Sequence, residues 1–130
     1  MNPTLAQFIA CINRQDAEGL FRLMTANHLF VDSLGVEVRG RETMRKGWEE
    51  YFSIVPDYHI TVTDHMETGA VVALFGRARG TYAPGGQLLT QNRWVTPAAW
   101  KAVVHGGLIT EWRVYADNEP MRRLIASRTA

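Results

Sequence analysis

Residues 30–42, FVDSLGVEVRGRE, contain the change of pattern on which the fold prediction depends. From His28 onward the side chains alternate with period two, so that His28, Phe30 and Asp32 share one side of a predicted strand. Glycines then interrupt the pattern, and helical spacing follows. The stretch therefore predicts a strand, a sharp turn and the start of a helix, with the carboxylate of Asp32 at the strand end.

Helices are predicted on both sides of this stretch. Apolar residues at i, i+3, i+4 and i+7 predict a helix over about residues 3–13, and Asp16 is a good N-cap for a second helix whose apolar spacing includes Met24. After the glycine turn, Trp48 and its apolar neighbours predict a third helix that ends before Pro56.

The second half of the chain predicts four antiparallel strands joined by glycine turns. They cover residues 58–66, 70–82, about 94–104 and 108–116. Residues 117–120 then supply an N-cap region and a proline start for a short closing helix. We therefore expect an α+β fold: a cone-shaped roll of strongly curved antiparallel sheet packed on three N-terminal helices, with a short C-terminal helix.

Composition limits the function classes. At 130 residues, 46% hydrophobic and 21% charged, the chain predicts one soluble domain over residues 1–130. A net charge of +1 without a basic run argues against nucleic acid and anionic membrane as partners. With no membrane-length apolar run and no secretion signal, we expect a cytoplasmic protein. The single cysteine, Cys11, and the spacing of the histidines predict no metal, and we expect no cofactor.

The order of the elements, with VDSLGVEVRGRE at 31–42, PDY at 56–58 and ITEWRVYAD at 109–117, resembles the nuclear transport factor 2-like superfamily. Within it the chain looks most similar to the SnoaL-like group, which includes polyketide cyclases. Ketosteroid isomerase and limonene epoxide hydrolase are more distant relatives. The resemblance covers essentially the whole chain and implies a helix-capped pocket in a curved sheet, commonly in a homodimer formed through that sheet.

The resemblance also assigns residues. Asp32 stands where the isomerase family has its general base, but Phe8 stands in place of the oxyanion-hole tyrosine, and residues 98–101 contain no carboxylate. Val114 occupies the place of the central acid of the epoxide hydrolase. Asp117 is the late-strand candidate for the cyclase acid, and strand parity turns it outward if Val114 faces inward. The resemblance thus implies a base without the groups that stabilise an enolate.

Asp32 has two interpretations. If Phe30 and Trp48 enclose it, desolvation raises its pKa and makes it a better proton acceptor near neutral pH. If it instead accepts backbone hydrogen bonds in an Asx turn, its pKa is lowered. His28 shares the inward parity of Asp32 and could orient a ligand or move a proton, or it could be half-exposed without a role. Asp32 and His28 are the candidate catalytic residues.

The aromatic residues predict a pocket for a flat, largely apolar ligand, although so many aromatic rings could equally form an ordinary core. The predicted lining is Phe8, Phe30, Trp48, Tyr51, Phe52, Trp94, Trp100, Trp112 and Val114. One hypothesis is a cofactor-free cyclase or isomerase that uses Asp32 as a base on a hydrophobic carbonyl substrate. The other is a non-catalytic module that binds a small hydrophobic molecule or serves as a dimeric scaffold.

Overall fold

A computed structural model describes residues 1–129, which form four α-helices and one six-stranded sheet. The helices are α1 (Pro3–Asn13), α2 (Ala17–Arg22), α3 (Arg41–Ile54) and α4 (Glu119–Thr129). The strands are β1 (Met24–Val31), β2 (Glu37–Arg39), β3 (His59–Thr68), β4 (Val71–Thr81), β5 (Arg93–His105) and β6 (Leu108–Ala116), with a 3₁₀ turn at Thr90–Asn92 before β5. None of the helices in this range is both long and apolar enough to span a membrane.

The sheet has the strand order β2-β1-β6-β5-β4-β3 and is curved. Strands β3 to β6 pair with their sequence neighbours in antiparallel fashion, which confirms the predicted α+β fold and the four late strands. The exception is β1, which runs parallel to β6 with Phe30 opposite Trp112. A parallel pair needs a long connection, and here α3 and the four strands β2 to β5 provide it.

Two local predictions for the first half of the chain were wrong. The second helix ends at Arg22, and β1 begins at Met24 rather than at His28. Met24 is fully buried and pairs with Ile109 of β6, so a contact with a distant strand overrides the helical spacing of its neighbours. Strand β2 was not predicted, because only its pairing with β1 makes such a short extended segment a strand.

The predicted helix starts are confirmed. Pro3 is the first residue of α1, and the side chain of Asn2 accepts a hydrogen bond from the Leu5 N–H. Asp16 caps α2 by accepting the Gly19 N–H at 2.9 Å. Three residues, Arg14, Gln15 and Asp16, separate α1 from α2, and the Asp16 N–H donates to the Cys11 carbonyl at 2.9 Å, which keeps the two helices in contact.

An irregularity in β3 accompanies the curvature of the sheet. Val62 pairs with Gly76 and Asp64 pairs with Phe75, so Thr63 is an extra residue in β3. A Cβ atom on Gly76 would overlap the carbonyl oxygen of Thr61. The bend therefore depends on a residue without a side chain at position 76.

The core unites the helices with the inward positions of the sheet. Buried residues of α1, α2 and α3 form one cluster with those of β1 and β3 to β6, and Met121 and Leu124 of α4 pack against its edge. Outward positions of the late strands are partly apolar: Val95 is 60% exposed and Tyr115 is 55% exposed. The homodimer through this face stays a prediction.

We predict that Gly76→Ala lowers the free energy of unfolding by at least about 2 kcal/mol, since the new methyl group forces β3 and β4 apart. Urea denaturation measures this value. Gly85→Ala is the matched control, because a Cβ atom there meets nothing within 4 Å, and it should change stability by less than about 0.5 kcal/mol. Equal stabilities of the two variants would contradict the role of Gly76.

Candidate functional site

Five aromatic residues form a continuous series of ring contacts, which we call the aromatic row: Phe30, Trp48, Tyr51, Tyr58 and Trp94. Successive ring centroids lie 6.0, 6.5, 5.0 and 6.1 Å apart. Phe52 stacks on Trp48 at 5.4 Å. The row joins β1, α3 and the start of β5 through edge and tilted contacts, the geometry that aromatic quadrupoles favour.

Four other rings form a second group, the inner cluster, which consists of Phe8, His28, Trp100 and Trp112. The ring of Phe8 lies 5.0 Å from Trp112 and 6.4 Å from His28, and Trp100 stacks on Trp112. All four side chains are at most 2% exposed. Because Phe30 and Trp112 are opposite each other in the β1–β6 pair, the inner cluster adjoins the aromatic row.

Sequence reasoning omitted Tyr58 from the predicted lining. It is buried and links Tyr51 to Trp94 within the row. The available signal was the alternation of Tyr58 and Ile60, which share one side of the strand predicted over residues 58–66. Val114 is half-buried and packs against the core, on the inward side where sequence parity placed it.

Several polar atoms within these rings are buried without a hydrogen-bond partner. Within residues 1–129 they include the indole Nε1 of Trp48, the indole Nε1 of Trp94 and the imidazole Nε2 of His28. The great majority of buried polar groups in folded proteins have a partner, so each exception needs an explanation. The indole groups can only donate.

The other nitrogen of His28 is bonded. Nδ1 lies 2.8 Å from the carbonyl oxygen of Ile109, and since a carbonyl only accepts, Nδ1 carries the proton. In the neutral ring Nε2 is then an acceptor. Burial lowers the pKa of His28, while the Ile109 bond and the charge of Glu111 act in the opposite direction. The prediction that His28 faces inward is confirmed, and its half-exposed alternative was wrong.

The phenols of the aromatic row are held neutral. Burial raises the pKa of Tyr51, and the neighbouring Tyr58 raises it further. Burial also raises the pKa of Tyr58. The row therefore offers aromatic faces and uncharged polar groups, which suit a neutral ligand better than an ion.

Asp32 lies in a turn directly after β1. Its Oδ1 accepts hydrogen bonds from the backbone N–H of Leu34 at 2.9 Å and of Val36 at 3.0 Å, and its own N–H donates to the Val36 carbonyl. These are the contacts of the Asx-turn interpretation. The role of Asp32 as a general base stays a prediction.

Two open clefts lie on the surface of the described residues. One, of about 370 Å³, lies beside α1 and α2 around Cys11 and Arg14. The other, of about 330 Å³, is lined by Asp57, Arg79 and Arg93 together with Trp94, a residue of the predicted pocket. The other predicted pocket residues line neither cleft.

We predict that Asp32→Ala lowers the free energy of unfolding by about 1 kcal/mol, because two N–H groups of the turn lose their acceptor. Asp32→Asn keeps a carbonyl oxygen at the same place and should lower it by less than half as much. Chemical denaturation of both variants measures the difference. Unchanged or improved stability of the alanine variant would favour the base interpretation over the turn.

We also predict that protein stability falls as pH drops through the ordinary histidine pKa of 6.5. The pKa of His28 is lower in the folded protein than in the unfolded chain. Between these two pKa values the unfolded chain binds a proton that the folded protein does not, and this binding stabilises the unfolded state. His59, whose pKa is lowered by burial and then by Arg79, contributes with the same sign.

Urea denaturation from about pH 7.5 to about pH 5.5 covers the titration range of the unfolded histidine. His28→Leu should reduce the pH dependence of the free energy of unfolding, and a His59→Gln variant should keep the part that belongs to His28. If His28→Leu and the wild type show the same dependence, the shift assigned to His28 is wrong.

Solved structures with the same fold are numerous. A protein with a ketosteroid isomerase-like fold from Catenulispora acidiphila, in complex with trimethylamine, is 20% identical over 88% of this chain and 86% of its own, with a TM-score of 0.75. IdmH from Streptomyces antibioticus, a candidate polyketide cyclase, is 25% identical over 95% and 96%, with a TM-score of 0.75. An epoxide hydrolase from M. tuberculosis of the LEH-like type is 14% identical over 97% and 89%, with a TM-score of 0.78.

No curated protein matches the chain in sequence. A family model, the SnoaL-like domain, matches residues 5–112, which include the aromatic row, the inner cluster and the Asp32 turn. The resemblance predicted from residues 31–42, 56–58 and 109–117 is thereby confirmed. The protein belongs to the SnoaL-like family.

Proposed function

We propose that this protein binds a small, largely apolar, neutral molecule against the aromatic row, with an oxygen atom of that molecule accepting the indole N–H of Trp48 or Trp94. The observation that carries the proposal is the pair of buried indole donors without an acceptor. A buried N–H left unpaired costs about 1–3 kcal/mol, a penalty that an acceptor on a ligand removes.

The surroundings of the two indoles match such a ligand. Flat aromatic faces contact apolar rings well, and the phenols of Tyr51 and Tyr58 stay neutral because burial raises their pKa. Apart from the charged side chains of Asp57, Arg79 and Arg93 beside Trp94, the row presents rings and neutral phenols, which do not replace the hydration that an ion loses. The row therefore favours a neutral molecule with few polar atoms.

The relatives support the same ligand chemistry. IdmH is a candidate polyketide cyclase and the M. tuberculosis relative is an epoxide hydrolase. A polyketide carries carbonyl oxygens and an epoxide carries an ether oxygen, and both are acceptors that an indole N–H can bind. The comparison with these two relatives supports only the class of ligand.

The contacts of Asp32 favour binding over base catalysis as the function to propose. Its Oδ1 already serves two backbone N–H groups of the turn. A cyclase or isomerase would also need a donor that stabilises an enolate next to the base. The two orphan indole donors belong to α3 and β5, so they support ligand binding without requiring Asp32.

The test compares two probes, 2-acetylnaphthalene and 2-isopropenylnaphthalene, which are similar in size while only the first has a carbonyl oxygen. Calorimetric titration should give the ketone a dissociation constant at least about tenfold lower, as expected for satisfying a buried donor. Nuclear magnetic resonance should show a shift of the Trp48 or Trp94 indole N–H signal with the ketone and a smaller one with the hydrocarbon.

Trp48→Phe and Trp94→Phe keep an aromatic ring and remove one donor each, and at least one of them should abolish the preference for the ketone. Tyr115→Phe, on the outward face, is the matched control and should bind as the wild type does. The proposal fails if the ketone does not bind, or if it binds no better than the hydrocarbon and neither tryptophan variant changes the result.

A further inference from the structure

One ring nitrogen of His28 is hydrogen-bonded, and the other has no hydrogen-bond partner within residues 1–129. The side chain is 0% exposed, and its Nδ1–H donates to the Ile109 carbonyl across the β1–β6 pair. That bond decides which tautomer the neutral ring adopts. Nε2 is consequently a bare acceptor, buried without a partner among the described residues.

An ordinary core position does not require this arrangement. The ring of His28 lies 6.4 Å from Phe8, which in turn contacts Trp112, and a phenylalanine or leucine at position 28 would pack in these aromatic surroundings without burying a lone pair. The Ile109 bond accounts for Nδ1 but leaves Nε2 unexplained. Because burial also lowers the pKa of His28, the ring keeps its lone pair near neutral pH.

The polarity of His28 Nε2 is opposite to that of the indoles. The aromatic row offers donors at Trp48 and Trp94, whereas the adjoining inner cluster offers an acceptor. Phe30 and Trp112, opposite each other in the sheet, connect the two groups. A molecule that satisfies both must carry an acceptor oxygen at one place and a hydrogen-bond donor at another.

We infer that His28 Nε2 is a specificity-determining acceptor for a hydroxyl group of the bound molecule, so that the preferred ligand is a hydroxylated, largely apolar compound such as an alcohol, a phenol or an enol. This inference rests on the proposed binding function. It adds to that function a named group on the ligand and a second residue that selects it. The inner cluster is closed in this structure, so a neighbouring side chain must move when the hydroxyl enters.

The experiment uses 2-naphthol and 2-methoxynaphthalene, which both carry an oxygen acceptor, while only the naphthol can donate. In the wild type, 2-naphthol should bind at least about tenfold more tightly than the ether. In His28→Leu, which removes the acceptor, the preference should fall below about twofold. A preference that persists in His28→Leu would mean that the added methyl group is merely too large, and would overturn the inference.

A second measurement does not depend on whether a variant folds. In wild-type protein with ¹⁵N-labelled histidine, 2-naphthol should shift the Nε2 resonance of His28 and the ether should leave it in place. Equal shifts, or none while both probes bind, would show that Nε2 takes no donor from the ligand and would overturn the inference.

Failure of this inference can be told apart from failure of the proposed function. If 2-acetylnaphthalene binds with its carbonyl preference while 2-naphthol and the ether bind equally, the indole site stands and the role of His28 is wrong. If none of the naphthalene probes binds, the proposed function is wrong and the role of His28 falls with it.

Discussion

The absence of a side chain at Gly76 is the constraint on which the rest of the structure depends. Thr61 brings its carbonyl oxygen into the space that a Cβ atom would fill, at the point where Thr63 is an extra residue of β3. A bulge and a glycine together bend a sheet that would otherwise only twist. That bend lets the sheet curve around the helices.

Polar contacts at the edge strand hold the first helix within this curve. The side chain of Asn13 accepts the Ile60 N–H at 2.8 Å and donates to the Ile60 carbonyl at 3.0 Å. Gln15 donates to the Tyr58 carbonyl at 2.7 Å. These bonds satisfy backbone groups that an edge strand leaves open, and they place α1, and with it Phe8, over the interior of the sheet.

The interior that results is aromatic. Some of its few polar atoms have a hydrogen-bond partner and others have none in the described part of the chain. His28 satisfies one nitrogen through Ile109, whereas the indoles of Trp48 and Trp94 satisfy none. Well-packed apolar side chains could fill the same volume without this penalty. The interior therefore presents two unpaired donors in one group of rings and one unpaired acceptor in the adjoining group.

The sequence alone determined those features of the fold that depend on residues close to each other in the chain. The helix start at Pro3, the cap at Asp16, the helix that carries Trp48 and the four late strands follow from spacing and turn chemistry within a few residues. The SnoaL-like resemblance likewise followed from short motifs and their order. Tertiary structure decided the rest, since the outcome depended on distant partners. Met24 joined a strand because it pairs with Ile109 of β6. His28 gained one fixed proton and one free lone pair because a carbonyl 81 residues away accepts its Nδ1–H, and no local pattern encodes a contact at that separation.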